Sequence, residues 1–475
     1  MKALMSMRRA LEHPGIFGTI LPGESWAAWR VLLIAVMGEE LTEPEREIFC
    51  DLTGREYEPR TRCEEFWAIV GRRGGKTRAI AVLAAYIASL VDWSDILAPG
   101  ERASLPIISA SLNQAQKCFQ YLDGIYSNVA ALKKLVTGQT ADTIQLSTRV
   151  DIECRPASFR TIRGGTAVAI IGDEVAFWRS DNSANPDTEI LNAARPMLAT
   201  TGGLLAAISS PYAQRGELYA TFKRDFGPKG DAKILVAKAP SRKMNPSLAQ
   251  AVVDRAYERD PMAASAEYGA EFRKDVSGWA DLALIEACVD YGVTVRPPEQ
   301  GRRVTYSSFC DPSGGASDSF TMAVAHDEGN IAVLDCLLEI RAPFNPTSAT
   351  QQVAETLKSY GLTSTTGDRY AAQWVVDAFA KCGIRYSHSE RDRSSIYLDA
   401  LPLFTSGRVR LLDNPRVVNQ FASLERRTSA LGKDRVDHGP GGHDDVCNSA
   451  AGAVVLASQR EAGRNILIVK PFPRC

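Results

Sequence analysis

Phe66-Trp-Ala-Ile-Val-Gly-Arg-Arg-Gly-Gly-Lys-Thr-Arg-Ala-Ile-Ala-Val-Leu83 carries the most decisive pattern in this chain. It reads as a buried strand over 66–70, a glycine-rich turn, and an apolar helix over 77–90. That context favours a phosphate-binding loop over a plain strand–helix turn. Glycines let backbone N–H groups close around phosphate oxygens, and the helix N-terminus adds partial positive charge. Gly71, Arg72, Arg73, Gly74, Gly75, Lys76 and Thr77 form the loop. Lys76 is placed to reach the β- and γ-phosphates of a nucleotide, and the Thr77 hydroxyl to sit on Mg²⁺. The usual spacing puts a glycine where Val70 stands, whereas here it comes one place later, at Gly71. Arg72 and Arg73 sit inside the loop, where a guanidinium can stabilise charge on a transferring phosphoryl group.

A second pattern fits the first. Ala167-Val-Ala-Ile-Ile-Gly-Asp-Glu174 is an apolar run ending in two acids, as a fully buried strand would deliver them to the ligand edge of a parallel sheet. Asp173 suits a Mg²⁺ contact, and Glu174 suits polarisation of an attacking water. Leu204-Leu-Ala-Ala-Ile-Ser-Ser-Pro211 is another buried strand, ending in Ser209 and Ser210. Such a strand end can lie beside the γ-phosphate, or it can be a plain strand-turn broken by Pro211. The succession of strands and helices predicts a doubly wound parallel sheet flanked by helices over 61–240. Residues 1–60 read as a helical lead-in, with Thr42-Glu-Pro-Glu45 starting a helix.

With 475 residues the chain is long enough for two or three domains. Apolar residues make up 45% and charged residues 23%, an ordinary globular balance. The formal net charge of −1 leaves nucleic-acid contact to local patches. Ten scattered cysteines without a C-x-x-C pair argue against a zinc site or a disulfide framework. They fit a reducing cytoplasm. No run is long and apolar enough to span a membrane.

The second half presents acids of its own. Tyr306-Ser-Ser-Phe-Cys-Asp311 reads as a strand, and Phe320–His326 and Ile331–Ile340 as a hairpin around Asp327-Glu-Gly-Asn330. Trp374-Val-Val-Asp377 reads as a strand end, and His443-Asp-Asp445 opens an apolar helix. Hairpin first and helix last suits a ribonuclease-H-like mixed sheet over 301–460, after a connection over 241–300 and before a tail over 461–475. Asp311, Asp377 and Asp444 or Asp445 would then converge as ligands of two divalent cations, Mg²⁺ or Mn²⁺, for phosphodiester hydrolysis. Each acid alone reads equally as a turn, strand-end or helix-cap residue. Asp318, Asp335 and His443 rank below them. Arg385, Arg391, Arg393, Arg426, Arg427, Lys433 and Arg435 are candidates to follow a DNA backbone.

An N-terminal P-loop ATPase followed by a metal-dependent nuclease resembles the large terminase subunit of tailed bacteriophages. The resemblance runs through Gly71-Arg-Arg-Gly-Gly-Lys-Thr77, Ile170-Ile-Gly-Asp-Glu174, Ile208-Ser-Ser-Pro211, Cys310-Asp-Pro-Ser-Gly-Gly315, Val376-Asp377 and His443-Asp-Asp445. That family's phosphate loop is itself deviant and often carries an arginine where Arg72 stands. The resemblance implies an ATPase that drives double-stranded DNA through the portal protein into a procapsid, and an endonuclease that cuts concatemeric DNA. It further implies a small terminase subunit as partner and a homo-oligomeric ring, commonly a pentamer. The setting would be the host cytoplasm, transiently on the procapsid and not in the mature virion. Arg72 would be a cis arginine, although Arg102, Arg149, Arg160 and Arg163 leave open an arginine supplied by the next subunit. The residues alone also admit a helicase or repair ATPase fused to a nuclease, a transposition ATPase, or an ATP-regulated DNA-binding protein without nuclease activity.

Overall fold

The computed structural model describes residues 2–158, 162, 164–178, 183, 185–299, 304–368, 373–428 and 434–462. Arg160, Arg163, Lys433 and the tail from 463 onward lie outside the described residues. The chain packs as two units that change over between Lys274 and Asp275.

The first unit is built on an eight-stranded sheet. Its strands are β1 (Glu65–Val70), β2 (Ala103–Ser109), β3 (Val136–Gln139), β4 (Thr143–Leu146), β5 (Val150–Pro156), β6 (Ala169–Asp173), β7 (Leu204–Ser209) and β8 (Ile234–Ala239), in the spatial order β8-β1-β7-β6-β2-β5-β4-β3. From β8 to β5 all neighbours are parallel. The last pairs, β5-β4 and β4-β3, are antiparallel. The expected wholly parallel sheet is therefore a mixed one, because short connections at 140–142 and 147–149 leave no length for a crossover. The central strands β6 and β7 are buried at every residue, and so read as continuous apolar runs rather than alternating ones. The helix Lys76–Ser89 is buried along most of its length, which explains why it lacks a polar face. In the lead-in, Thr42 and Glu45 form the capping box that opens Glu43–Thr53, and Gly54 closes that helix in the left-handed conformation.

The second unit has a seven-stranded sheet: β9 (Val289–Asp290), β10 (Tyr306–Asp311), β11 (Phe320–Asp327), β12 (Ala332–Ile340), β13 (Ser364–Gly367), β14 (Arg385–His388) and β15 (Val409–Leu412), ordered β9-β15-β12-β11-β10-β13-β14. β10, β11 and β12 form the antiparallel meander, and β13 and β14 continue parallel to β10. This is the ribonuclease-H-like arrangement. The helix Asp445–Ala462 packs across β10 and β11. Residues 276–278 pair with 424–428 in a small three-stranded sheet, which ties the start of this unit to its end.

One expectation fails here. Trp374-Val-Val-Asp377 is not a strand end but part of the helix Gln373–Lys381. Val375 and Phe379, four apart, are buried, while Trp374 and Asp377 are exposed. The apolar residues have helical spacing, and a short run hides it. The strand beside β10 is instead β13, Ser364-Thr-Thr-Gly367, which carries no apolar signal. Its Thr365 hydroxyl is buried but satisfied, 2.9 Å from Ser308 Oγ and 3.2 Å from Cys310 Sγ.

Candidate functional site

In the first unit the loop after β1 turns under a set of contacts that the motif alone does not reveal. A Cβ at Gly71 would stand 2.3 Å from Ser241 Oγ, so only glycine fits. Gly75 has φ +85° and would press a Cβ onto the Trp26 ring at 2.8 Å. Trp29 Nε1 donates to the Gly74 carbonyl at 2.6 Å, Ser241 Oγ to the Arg72 carbonyl at 2.6 Å, and Asn245 Nδ2 to the Arg73 carbonyl at 2.9 Å. With its carbonyls fixed from behind, the loop holds a set conformation before any ligand arrives. Arg72 pairs with Glu267 at 3.2 Å, and Arg73 takes φ 137°.

Lys76 is buried. Its Nζ donates to Val70 O at 2.8 Å and to Ser210 Oγ at 2.8 Å, and it lies 3.4 Å from Glu174. Burial pushes its ammonium pKa down, against the attraction of Glu174 and Asp173. Asp173, at the end of β6, is buried as well. Burial and the adjacent Glu174 push its carboxyl up to about 7, with Lys76 opposing. Glu174 sits in the left-handed region at φ 53°, a conformation that costs on the order of 1 kcal/mol in a non-glycine residue. It is held there by its own N–H on Ile208 O at 2.7 Å and by Ser210 N–H on its carboxylate at 3.0 Å. The Ser209 hydroxyl donates to the same carboxylate at 3.3 Å. Thus β1, β6 and β7 bring Lys76, Asp173, Glu174 and Ser210 together, as the sequence predicts. Thr77 is half-buried in the first helical turn. Arg102 is tied to Asp151 and Arg149 to the Ala98 carbonyl.

The second unit gathers a different cluster. Asp311, at the end of β10, receives a hydrogen bond from Asn448 Nδ2 at 2.7 Å. Its carboxyl is pushed up to about 7 by burial and by the like charges of Asp445, Asp368 and Asp444. Asp368 follows β13 directly, and its N–H donates to Cys310 O at 3.3 Å. It is the residue that sequence reading missed. Asp377 is the residue it replaces, exposed on its helix and holding Gln373 at 3.1 Å. Asp444 is buried with both carboxylate oxygens engaged, Oδ1 by Arg393 at 2.7 Å and Oδ2 by Tyr397 at 2.9 Å. Asp445 begins the last helix and is half-buried. Burial, then Asp444 and Asp318, push its carboxyl up, while His443 lowers it. Asp335 belongs elsewhere, hydrogen-bonded to His326 at 2.7 Å.

Among the described residues no three carboxylates or imidazoles already stand at the spacing of a closed metal cage. The chemistry of the set still fits divalent cations. Part-buried like-charged carboxylates offer hard oxygen donors, and a cation would relieve their repulsion. Asp368 and Asp445 are close enough to Asp311 to raise its carboxyl. Asp444 is held by Arg393 and Tyr397.

A nucleotide-loop unit joined to a ribonuclease-H-like unit is the class that fold and sites define. No family model matches the sequence, and no curated protein matches it. Among solved structures, the chain is similar to the HK97 bacteriophage large terminase at 16% identity and a TM-score of 0.38, over 90% of this chain and 99% of that one. It is similar to the large terminase of a thermophilic bacteriophage in complex with ADP at 13% identity and TM-score 0.35, over 86% and 94%. The large terminase nuclease of a thermophilic phage, with bound magnesium, aligns at 15% identity and TM-score 0.30, over 37% of this chain and 96% of that one. Among the described residues no helix is long and apolar enough to cross a membrane.

Proposed function

We propose that this chain is a DNA-packaging motor of the large-terminase kind. ATP hydrolysis in the first unit drives double-stranded DNA through a portal protein into a procapsid, and the second unit cuts concatemeric DNA to begin and end packaging. The observation that carries the reading is the pairing, in one chain, of the Lys76–Asp173–Glu174–Ser210 cluster with the acidic cluster around Asp311.

In the first unit the loop N–H groups and Lys76 bind the phosphates of ATP. Thr77 and Asp173 would hold the Mg²⁺ that accompanies the nucleotide and neutralises its charge. Glu174 orients the attacking water and accepts its proton. Arg72 stabilises charge at the γ-phosphate once it leaves Glu267. Ser210 touches both Lys76 and Glu174, so loss of the γ-phosphate changes its contacts. In the second unit Asp311, Asp368 and Asp445 would hold Mg²⁺ or Mn²⁺, which supplies an activated water and charge stabilisation on the leaving oxygen. On this reading the protein acts as a homo-oligomeric ring, a pentamer in the family's common form, with a small terminase subunit. It works in the host cytoplasm, on the procapsid only during packaging.

The test is ATP hydrolysis and plasmid cleavage by the full chain, in Mg²⁺ and then in Mn²⁺. ATP turnover that needs Lys76, with cutting that needs Asp311, is the expected result. ATP turnover with DNA intact in both metals would reduce the reading to a DNA-associated ATPase. Strand separation of a forked duplex would favour a helicase–nuclease instead.

A further inference from the structure

Asn448 lies one helical turn after Asp445, on the same face of the helix Asp445–Ala462. It is 1% exposed. Its Nδ2 donates to Asp311 Oδ2 at 2.7 Å, and its Oδ1 is buried with no hydrogen-bond partner among the described residues. The orientation of the amide is dictated by chemistry. Turned over, it would set a carbonyl oxygen against a carboxylate oxygen, two acceptors face to face. A buried carbonyl oxygen without a donor is costly, so an unsatisfied one inside an acidic cluster points to a missing positive partner. The helix N-terminus cannot supply it, because Gln420 Oε1 already accepts the N–H groups of Val446 and Cys447 at 2.9 Å. Arg393 and Tyr397 each engage one oxygen of Asp444.

The structure assigns Asn448 to the cation site of the second unit: its nitrogen fixes Asp311, and its Oδ1 is an oxygen donor to the cation or to a water bound on it. Asp445 and Asn448 serve from the same helix face, beside Asp444 held by Arg393 and Tyr397. This assignment rests on the nuclease reading above.

The experiment is calorimetric titration of the full chain with Mn²⁺ alone, for wild type, Asp311→Ala, Asn448→Ala and Asn448→Asp. Removal of a group that orients metal ligands weakens binding by roughly 10- to 100-fold, and that loss is expected for Asn448→Ala. Asn448→Asp keeps an oxygen donor but loses the N–H that fixes Asp311, so its Mn²⁺ affinity is expected to fall between those of Asn448→Ala and wild type. Binding by Asn448→Asp no tighter than by Asn448→Ala would overturn the assignment, as would a loss beyond roughly 100-fold in Asn448→Asp where the alanine variant does not fold. So would an unchanged dissociation constant for Asn448→Ala when Asp311→Ala abolishes the same binding event, and that result would leave the nuclease reading standing. Wild type and Asp311→Ala titrating alike would overturn both.

Discussion

The two acidic sites differ in where their positive charge comes from. Around Asp173 and Glu174 the chain supplies its own cation, Lys76, buried between Val70, Ser210 and Glu174. Around Asp311 the like charges of Asp445, Asp368 and Asp444 raise the carboxyl, which accepts from the neutral Asn448, while Arg393 is paired with Asp444. The first site is therefore close to balanced before ligand binds, and what it must admit is a polyanion. The second gathers part-buried, like-charged carboxylates that raise one another, and a cation is the ligand that would relieve them.

That contrast can be broken most severely at Lys76. Lys76→Ala should cut ATP turnover roughly 100-fold or more, and it should leave Mn²⁺ binding by the second unit untouched. Cross-talk in the titration would show that the two charge balances are not separate. Next in size is the cation's effect on stability. A ligand at about 100 times its dissociation constant stabilises the native state by about 2.7 kcal/mol. Saturating Mn²⁺ should raise the melting temperature of the second unit in wild type, and the rise should vanish in Asp311→Ala.

Much of this contrast was legible in the sequence, though unevenly. The first site was read almost whole because its strands, β1, β6 and β7, are buried on both faces and so announce themselves as apolar runs with functional residues at their ends. At the antiparallel edge of that sheet β4 shows in the sequence as the short strand Ile144–Leu146, whereas β3, short and part-exposed, carries no such signal. In the second unit Asp311 and the Asp444–Asp445 pair follow the same logic. Asp368 does not. Its strand, Ser364–Gly367, is short and polar, and it is stable because Ser308 and Cys310 meet Thr365, a fact about tertiary contact alone. The apolar Trp374–Val376 drew the assignment to Asp377 although it lies on a helix. A helical reading of Val375 and Phe379 would have moved the search upstream. The backs of both sites, Ser241 and Asn245 in one and Arg393, Tyr397 and Asn448 in the other, carry no motif, since what defines them is distance.

A smaller effect tests an interior pair away from both clusters. Asp335 raises the His326 pKa through their hydrogen bond, outweighing burial. A raised histidine stabilises the fold below its unfolded value near pH 6.5, and the gain is lost as pH rises through the higher folded value. The stability advantage of wild type over His326→Gln, read from urea unfolding, should accordingly narrow from pH 6 to pH 8.5. A gap that widens over that range would contradict the pairing. The least change is expected at Trp29→Phe, which loses only the hydrogen bond to Gly74 O. It should cost about 1 kcal/mol, read in the denaturation midpoint, and should raise the KM for ATP by loosening the loop.

The most direct test of the central claim is Mn²⁺-dependent plasmid cleavage by Asp311→Asn, Asp368→Asn and Asp377→Asn side by side. Asp311 and Asp368 share the cluster while Asp377 faces solvent. The first two variants should therefore lose cutting by roughly 100-fold or more, and the third should cut within about twofold of wild type. Cutting retained by Asp368→Asn and lost by Asp377→Asn would contradict the placement of the second acid and, with it, the cation site described for this unit.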